Sequence, residues 1–141
     1  MAGTNLPIFP QTIANWSTVL VNANGTSTVN FVSGATNGTK VESMMATSNN
    51  TSDLALDLWV NNGGSDTLLA SILVVANSGN NSNLAIPAVD VLRSSQLPAL
   101  PYDSNGNKYL YIAYGTNLKV SANVAVASGK ALGVWAAGAN F

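Results

Sequence analysis

The side chains able to carry charge-based chemistry are few. Carboxylates stand at Glu42, Asp53, Asp57, Asp66, Asp90 and Asp103, and cations at Lys40, Arg93, Lys108, Lys119 and Lys130. There is no histidine and no cysteine. Their absence removes the commonest general base and metal ligand, the usual partner of a Ser or Cys nucleophile, disulfides and Cys-based zinc sites. Asp53 and Asp57 are four apart on a strand pattern, which places them on one face about 13 Å apart. A glycosidase pair needs roughly 5–9.5 Å, so solvated charges are expected instead. Asp103-Ser104-Asn105-Gly106-Asn107 offers oxygens suited to a hard cation. An EF-hand, however, places a glutamate six positions beyond its glycine, where this chain has Ile112. A hairpin turn is the better reading of that loop. No phosphate loop, dinucleotide fingerprint or Gly-x-Ser-x-Gly elbow is present. The expectation is a non-enzyme with no metal and no cofactor; a hydrolase would have to gather carboxylates from distant positions in the chain.

The elements that hold these residues follow a period of two. Leu118, Val120, Ala122, Val124 and Val126 point one way, and Lys119, Ser121 and Asn123 the other, the pattern of a half-buried strand. Leu54, Leu56, Leu58 and Val60 repeat it. Further strands are expected at Trp16–Asn22, Thr28–Val32, Thr39–Ser48, Thr67–Ala76, Lys108–Ala113 and Lys130–Ala137, eight in all. Asn24-Gly25, Asn37-Gly38, Asn61 to Gly64, Ser78-Gly79 and Asn105-Gly106 supply the turns. Pro87 to Ser95 breaks the pattern and has room for one helical turn before Pro98 and Pro101. Short strands with Gly/Asn turns and almost no helix predict an all-β fold, and eight strands with uneven connections predict a jelly-roll β-sandwich. The expected division is an extended N-terminal arm over residues 1–14, carrying Ile8 and Phe9 between prolines, and one domain over 15–141.

Composition narrows the partners. Charged residues make up 8% of the 141 residues and the net charge is −1, against about 25% charged in typical soluble domains. The five cations are scattered singly, so no basic stripe can follow a nucleic-acid backbone. The longest mostly apolar run, Leu68 to Ala76, is broken by Ser71 and falls far short of the ~20 residues of a membrane helix. The start lacks the basic and apolar regions of a signal peptide. Neither nucleic acid nor membrane is therefore expected as a partner, and synthesis in a cytoplasm is. Six N-x-S/T triplets, at Asn15, Asn24, Asn37, Asn49, Asn50 and Asn80, are what chance gives in so Asn-, Ser- and Thr-rich a chain.

The informative feature is apolar material on outward positions. Tyr109 and Tyr111 alternate away from Leu110 and Ile112, Trp59 from Leu58 and Val60, and Trp135 from Leu132 and Val134. The Leu68–Ala76 strand is apolar on both faces, with Leu69, Leu73 and Val75 opposite Leu68, Ile72 and Val74. Aromatic residues and contiguous apolar patches mark protein interfaces. Trp59, Tyr109, Tyr111, Trp135, Ile8 and Phe9 are the candidate contact residues, and a symmetric homodimer is expected.

Asn37 to Ser48, Leu56-Asp57-Leu58-Trp59-Val60, Leu84 to Leu92, Leu97 to Leu110 and Leu118 to Ser121 together resemble the capsid cement (decoration) proteins of short-tailed-type tailed bacteriophages. The resemblance spans roughly residues 35–140. It implies a jelly roll that binds the outside of an assembled head and bridges neighbouring major capsid subunits, made in the host bacterial cytoplasm and carried on the virion. It brings no catalytic or cofactor residues. The alternative of a different class is a receptor- or carbohydrate-binding domain of a tail fibre, with an exposed Tyr or Trp stacking on a sugar ring.

Overall fold

Apolar residues at every second position give nine strands in the computed structural model, which describes residues 10–79 and 86–141. They are β1 (Thr12–Val21), β2 (Val29–Ser33), β3 (Thr39–Ser48), β4 (Leu54–Asn61), β5 (Thr67–Val74), β6 (Val89–Asp90), β7 (Leu110–Ile112), β8 (Asn117–Ala122) and β9 (Ala131–Asn140). Every strand pair is antiparallel. One sheet runs in the order β1-β9-β3-β6, with β7 also on β3; the other runs β2-β8-β4-β5. The fold is all-β, and a three-residue 3-10 turn at Asn22–Asn24 is the only helical element among the described residues.

The core lies between the sheets. Leu20, Val41, Met44, Leu132, Val134 and Ala136 come from the first sheet, and Val32, Leu54, Leu56, Leu58, Ile72, Val74, Leu118 and Val120 from the second. Each is at most 2% exposed. At roughly 1.5–3 kcal/mol for a fully buried Val, Leu, Ile or Met, these alternating positions hold the two layers together.

Three bulges interrupt the alternation, the first in β2, where pairing with β8 shifts between Asn30 and Val32. Pairing of β3 with β9 shifts between Val41 and Ser43, so Glu42 is the extra residue, Met44 turns inward and Met45 outward. Pairing of β4 with β5 shifts between Leu58 and Trp59, with Leu58 opposite Ala70 and Trp59 opposite Leu68. Leu69 is left unpaired, and Leu68 joins the outward row. The expected grouping of Leu68 with Ile72 and Val74 is thereby corrected: Leu68 is 48% exposed while Ile72 and Val74 are buried.

Other boundaries also move. β1 begins at Thr12, ahead of the expected Trp16 and inside the stretch assigned to an arm, because it pairs with β9 without interruption from Thr12–Asn140 to Val21–Ala131. β9 continues correspondingly to Asn140. β8 stops at Ala122 instead of Val126, since the Asn123 side chain accepts the Ala55 N–H and the Asn123 N–H donates to the Ala55 carbonyl. Residues 87–95 hold no helical turn. Val89 and Asp90 pair with Ala46 and Met45, and two successive turns follow, Ser94 N–H to Val91 O and Leu97 N–H to Ser94 O. Lys108–Ala113 contracts to β7 plus an isolated Tyr102–Lys108 bridge.

Candidate interaction surface

The register of the first sheet sets out its outer face row by row. Ser17, Trp135, Met45 and Asp90 are directly opposed across β1, β9, β3 and β6. The next row is Val19, Gly133 and Thr47. Gly133 has no side chain there, and a Cβ on it would meet the Thr47 hydroxyl at 2.9 Å. Trp135, Met45 and Val19 therefore border a shallow depression of about 210 Å³ floored by Gly133. Trp135 is 38% exposed, Met45 42% and Val19 57%. Further along β1, Ile13 is 88% exposed.

An aromatic cluster closes one end of the same face. Tyr111 stands opposite Lys40 in the β3–β7 pair, and the Lys40 ammonium sits 4.7 Å from the centre of the Tyr109 ring. The Tyr109 and Tyr111 rings meet edge-on at 4.9 Å, and Phe141 follows Tyr111 at 5.9 Å. A backbone bond from the Phe141 N–H to the Gly38 carbonyl ties the C-terminal aromatic down. Lys40 also pairs with Glu42 at 3.2 Å, so it bridges the bulge carboxylate and the ring. Tyr111 is exposed while Tyr109 is half-buried. Tyr111, Ile112, Ala113, Phe141, Asn37 and Gly38 line a groove of about 400 Å³.

Trp59 lies elsewhere, on the outer face of the second sheet. Its indole N–H donates to the Ser121 hydroxyl at 2.9 Å. Beside it, the Asp66 carboxylate accepts from the Asn61 amide, the Thr28 hydroxyl and the Lys119 ammonium. Those donors, the Asn61 side chain foremost, hold the Asp66 carboxyl below its ordinary value against the opposing effect of partial burial. Leu68 and Leu73 are exposed on this face, at 48% and 59%. The six candidates thus do not form one patch: Tyr109 and Tyr111 meet, Trp135 occupies the middle of the same sheet, and Trp59 is on the other sheet. Ile8 and Phe9 lie outside the described residues.

The carboxylates are occupied with local structure. Asp53 accepts the Ala76 N–H and Asp57 the Ser71 hydroxyl, so both tie β4 to the β5 side. Glu42, Asp90 and Asp103 do converge, around a polar cavity of about 390 Å³ that also meets Arg93 and Lys108. Each already has a partner: Lys40 for Glu42, Arg93 for Asp90 at 3.6 Å, and the backbone N–H groups of Asn105 and Asn107 for Asp103. The Asp103–Asn107 loop is accordingly a turn closed on its own aspartate. Among the described residues, no three of His, Cys, Asp and Glu are grouped to hold a metal ion.

Met45 and Phe141 are among the surface residues that an alternation reading does not assign to a surface. Met45 is hidden by the Glu42 bulge, which inverts the phase of β3 midway. A terminal aromatic is a signal that Phe141 is anchored, but its seat beside Tyr111 depends on β7 pairing with β3, which is long-range. No protein-family model, curated protein or solved structure matches the chain.

Proposed function

We propose that this protein is a non-enzymatic structural component of a bacteriophage virion, binding the outer surface of the head and bridging adjacent major capsid subunits. The observation that carries the reading is the display of apolar side chains on the outer faces of both sheets of a nearly uncharged protein. Trp135, Met45 and Val19 lie on one face, and Leu68 and Leu73 on the other. Isolated exposed hydrophobics are ordinary, but apolar rows on two opposed faces suit a body that touches two neighbours. The likeness of residues 37–48 and 97–110 to cement proteins supports the same reading. The strand order supports it too: β1, β9 and β3 with β6 and β7 both on β3 make one antiparallel sheet and β2-β8-β4-β5 the other, and a jelly roll is likewise built from two antiparallel sheets between which the chain crosses.

The mechanism is mass action on the assembled lattice. A ligand that binds only the assembled state stabilises it by RT ln(1 + [L]/Kd), about 2.7 kcal/mol per site at a hundredfold excess over Kd. Contacts to two subunits from one rigid body make the second contact intramolecular, and many copies per shell repeat the gain. The protein acts as a homodimer in this reading.

The test is to add the purified protein to otherwise intact heads that lack it and follow DNA release on heating. Decorated heads should resist a higher temperature than bare heads. Equal robustness, or failure of the heads to assemble without the protein, contradicts a brace added to a finished shell.

A further inference from the structure

Two stacked sheets have four lateral edges, and a natural sheet protein blunts its edges with short strands, bulges, charges or proline. Three edges here carry such devices. β6 and β7 are two and three residues long, β2 has five residues with a register shift between Asn30 and Val32, and β5 is bulged at Leu69. β1 carries none. It is ten residues long, pairs with β9 without a register shift, and reads Thr-Ile-Ala-Asn-Trp-Ser-Thr-Val-Leu-Val, with no charge, proline or glycine. Among the described residues, no strand pairs with its other side.

We propose that β1 is a pairing edge whose occupant is the β1 strand of a second copy, joined antiparallel about a two-fold axis at Ser17. This deepens the dimeric form of the function proposed above and rests on it. A two-fold axis perpendicular to the sheet keeps outward residues outward, so odd-numbered positions of β1 must face odd-numbered ones. Centring the axis on Ser17 engages Ile13 to Val21, all but the first residue of the strand. Ile13 then stands opposite the partner's Val21, Asn15 opposite the partner's Val19, and Ser17 opposite its own copy. Exposed Ile13 and Val21 thereby cover each other, and an uncharged strand has nothing to repel its copy. Alternate residues of a ten-residue strand turn an N–H and a C=O to the open side, giving about ten hydrogen bonds across the pair, as many as a typical stable interface.

The consequence reaches the outer face. Since Ser17, Trp135 and Met45 share a row, the axis would place both copies' Met45, Trp135 and Ser17 in one line. That line is about 24 Å long at the usual strand spacing. Two separate depressions become one symmetric apolar face.

The chain's lack of cysteine gives a clean test. In Ser17→Cys the paired positions lie within disulfide reach, where Cα atoms must be about 4.4–6.8 Å apart. Mild oxidation should convert the full-length variant to a covalent dimer, while Asn30→Cys on the β2 edge should stay monomeric. The double variant Ile13→Lys/Val21→Lys sets like charges opposite each other and should weaken self-association at least tenfold in sedimentation, with its melting temperature unchanged. Mixing it with Ile13→Glu/Val21→Glu should restore the dimer. The proposal is overturned if the wild-type chain sediments as a monomer at all concentrations, if the lysine variant still dimerises, or if deleting residues 1–9 abolishes the dimer. Head binding is scored separately. A monomer that binds heads overturns the β1 pairing alone, and a β1 dimer that ignores heads overturns the head reading alone.

Discussion

The Trp59 indole N–H reaches diagonally across the β4–β8 pair to the Ser121 hydroxyl, 2.9 Å away, although the residue directly opposite Trp59 is Lys119. Ser121 is on an outward row yet only 1% exposed. Trp59 therefore completes the second sheet as well as facing outward. Trp59→Phe keeps a ring but removes the donor, and should cost about 1 kcal/mol in denaturant unfolding. In a Ser121→Ala background the same change should cost less, and the difference measures the bond.

Trp135 and Tyr111 should behave differently. Both are exposed, at 38% and 56%, and neither side chain makes a hydrogen bond to a described residue. Trp135→Ala and Tyr111→Ala should each cost about 1 kcal/mol of stability, the scale of a partly covered or ring-paired aromatic, and far less than loss of a core residue. If these residues meet the capsid, one of them should weaken head binding by about 2 kcal/mol, roughly thirtyfold. Titration onto undecorated heads, with thermal unfolding of each variant alongside, separates the two effects.

Gly138 faces the bulged part of β3 so closely that a Cβ would lie 1.8 Å from the Lys40 carbonyl oxygen. No side-chain rearrangement relieves a clash with backbone. Gly138→Ala should destabilise the domain by about 3 kcal/mol, at the upper end of overpacking costs, read from the shift of the denaturant midpoint at constant slope. Gly63→Ala, with open space around its Cβ but a φ of +101°, tests conformation without a clash and should cost about 1 kcal/mol.

Asp66 gives the pH dependence. Its carboxyl is held below the ordinary value of 3.8 by donors from Asn61, Lys119 and Thr28. A group whose pKa is lower folded than unfolded stabilises the fold above its unfolded value, and that contribution disappears as pH falls through the folded value. The stability gap between wild type and Asp66→Asn should therefore be full near pH 6 and shrink progressively below about pH 4. A gap that widens on acidification would contradict the network.

Strand existence was legible because burial on one face writes a period of two directly into Leu54–Val60 and Leu118–Ala122. The Asn61–Asp66 and Asp103–Asn107 turns were legible from their Asn and Gly residues. The bulges were not. Nothing at Glu42 or Leu69 distinguishes an extra residue from a paired one until the partner strand is known, and each bulge reverses the face of what lies beyond it. That is why Met45 and Leu68 escaped; the outward aromatics divide between two faces because β4 belongs to one sheet and β7 and β9 to the other, a long-range pairing that alternation does not encode. The early start of β1 was hidden for a related reason: Thr12 to Asn15 carry weak alternation and are strand because β9 holds them.

The central proposal, that this protein braces a phage head, is tested most directly by counting it on the purified virions to which the proposal assigns it. Quantitative gel densitometry against the major capsid protein gives the copy number, and an electron-microscopy reconstruction gives its position. The account predicts hundreds of copies, each on the outer surface and touching at least two major capsid subunits. A few to tens of copies confined to the tail would contradict it and favour the receptor-binding alternative.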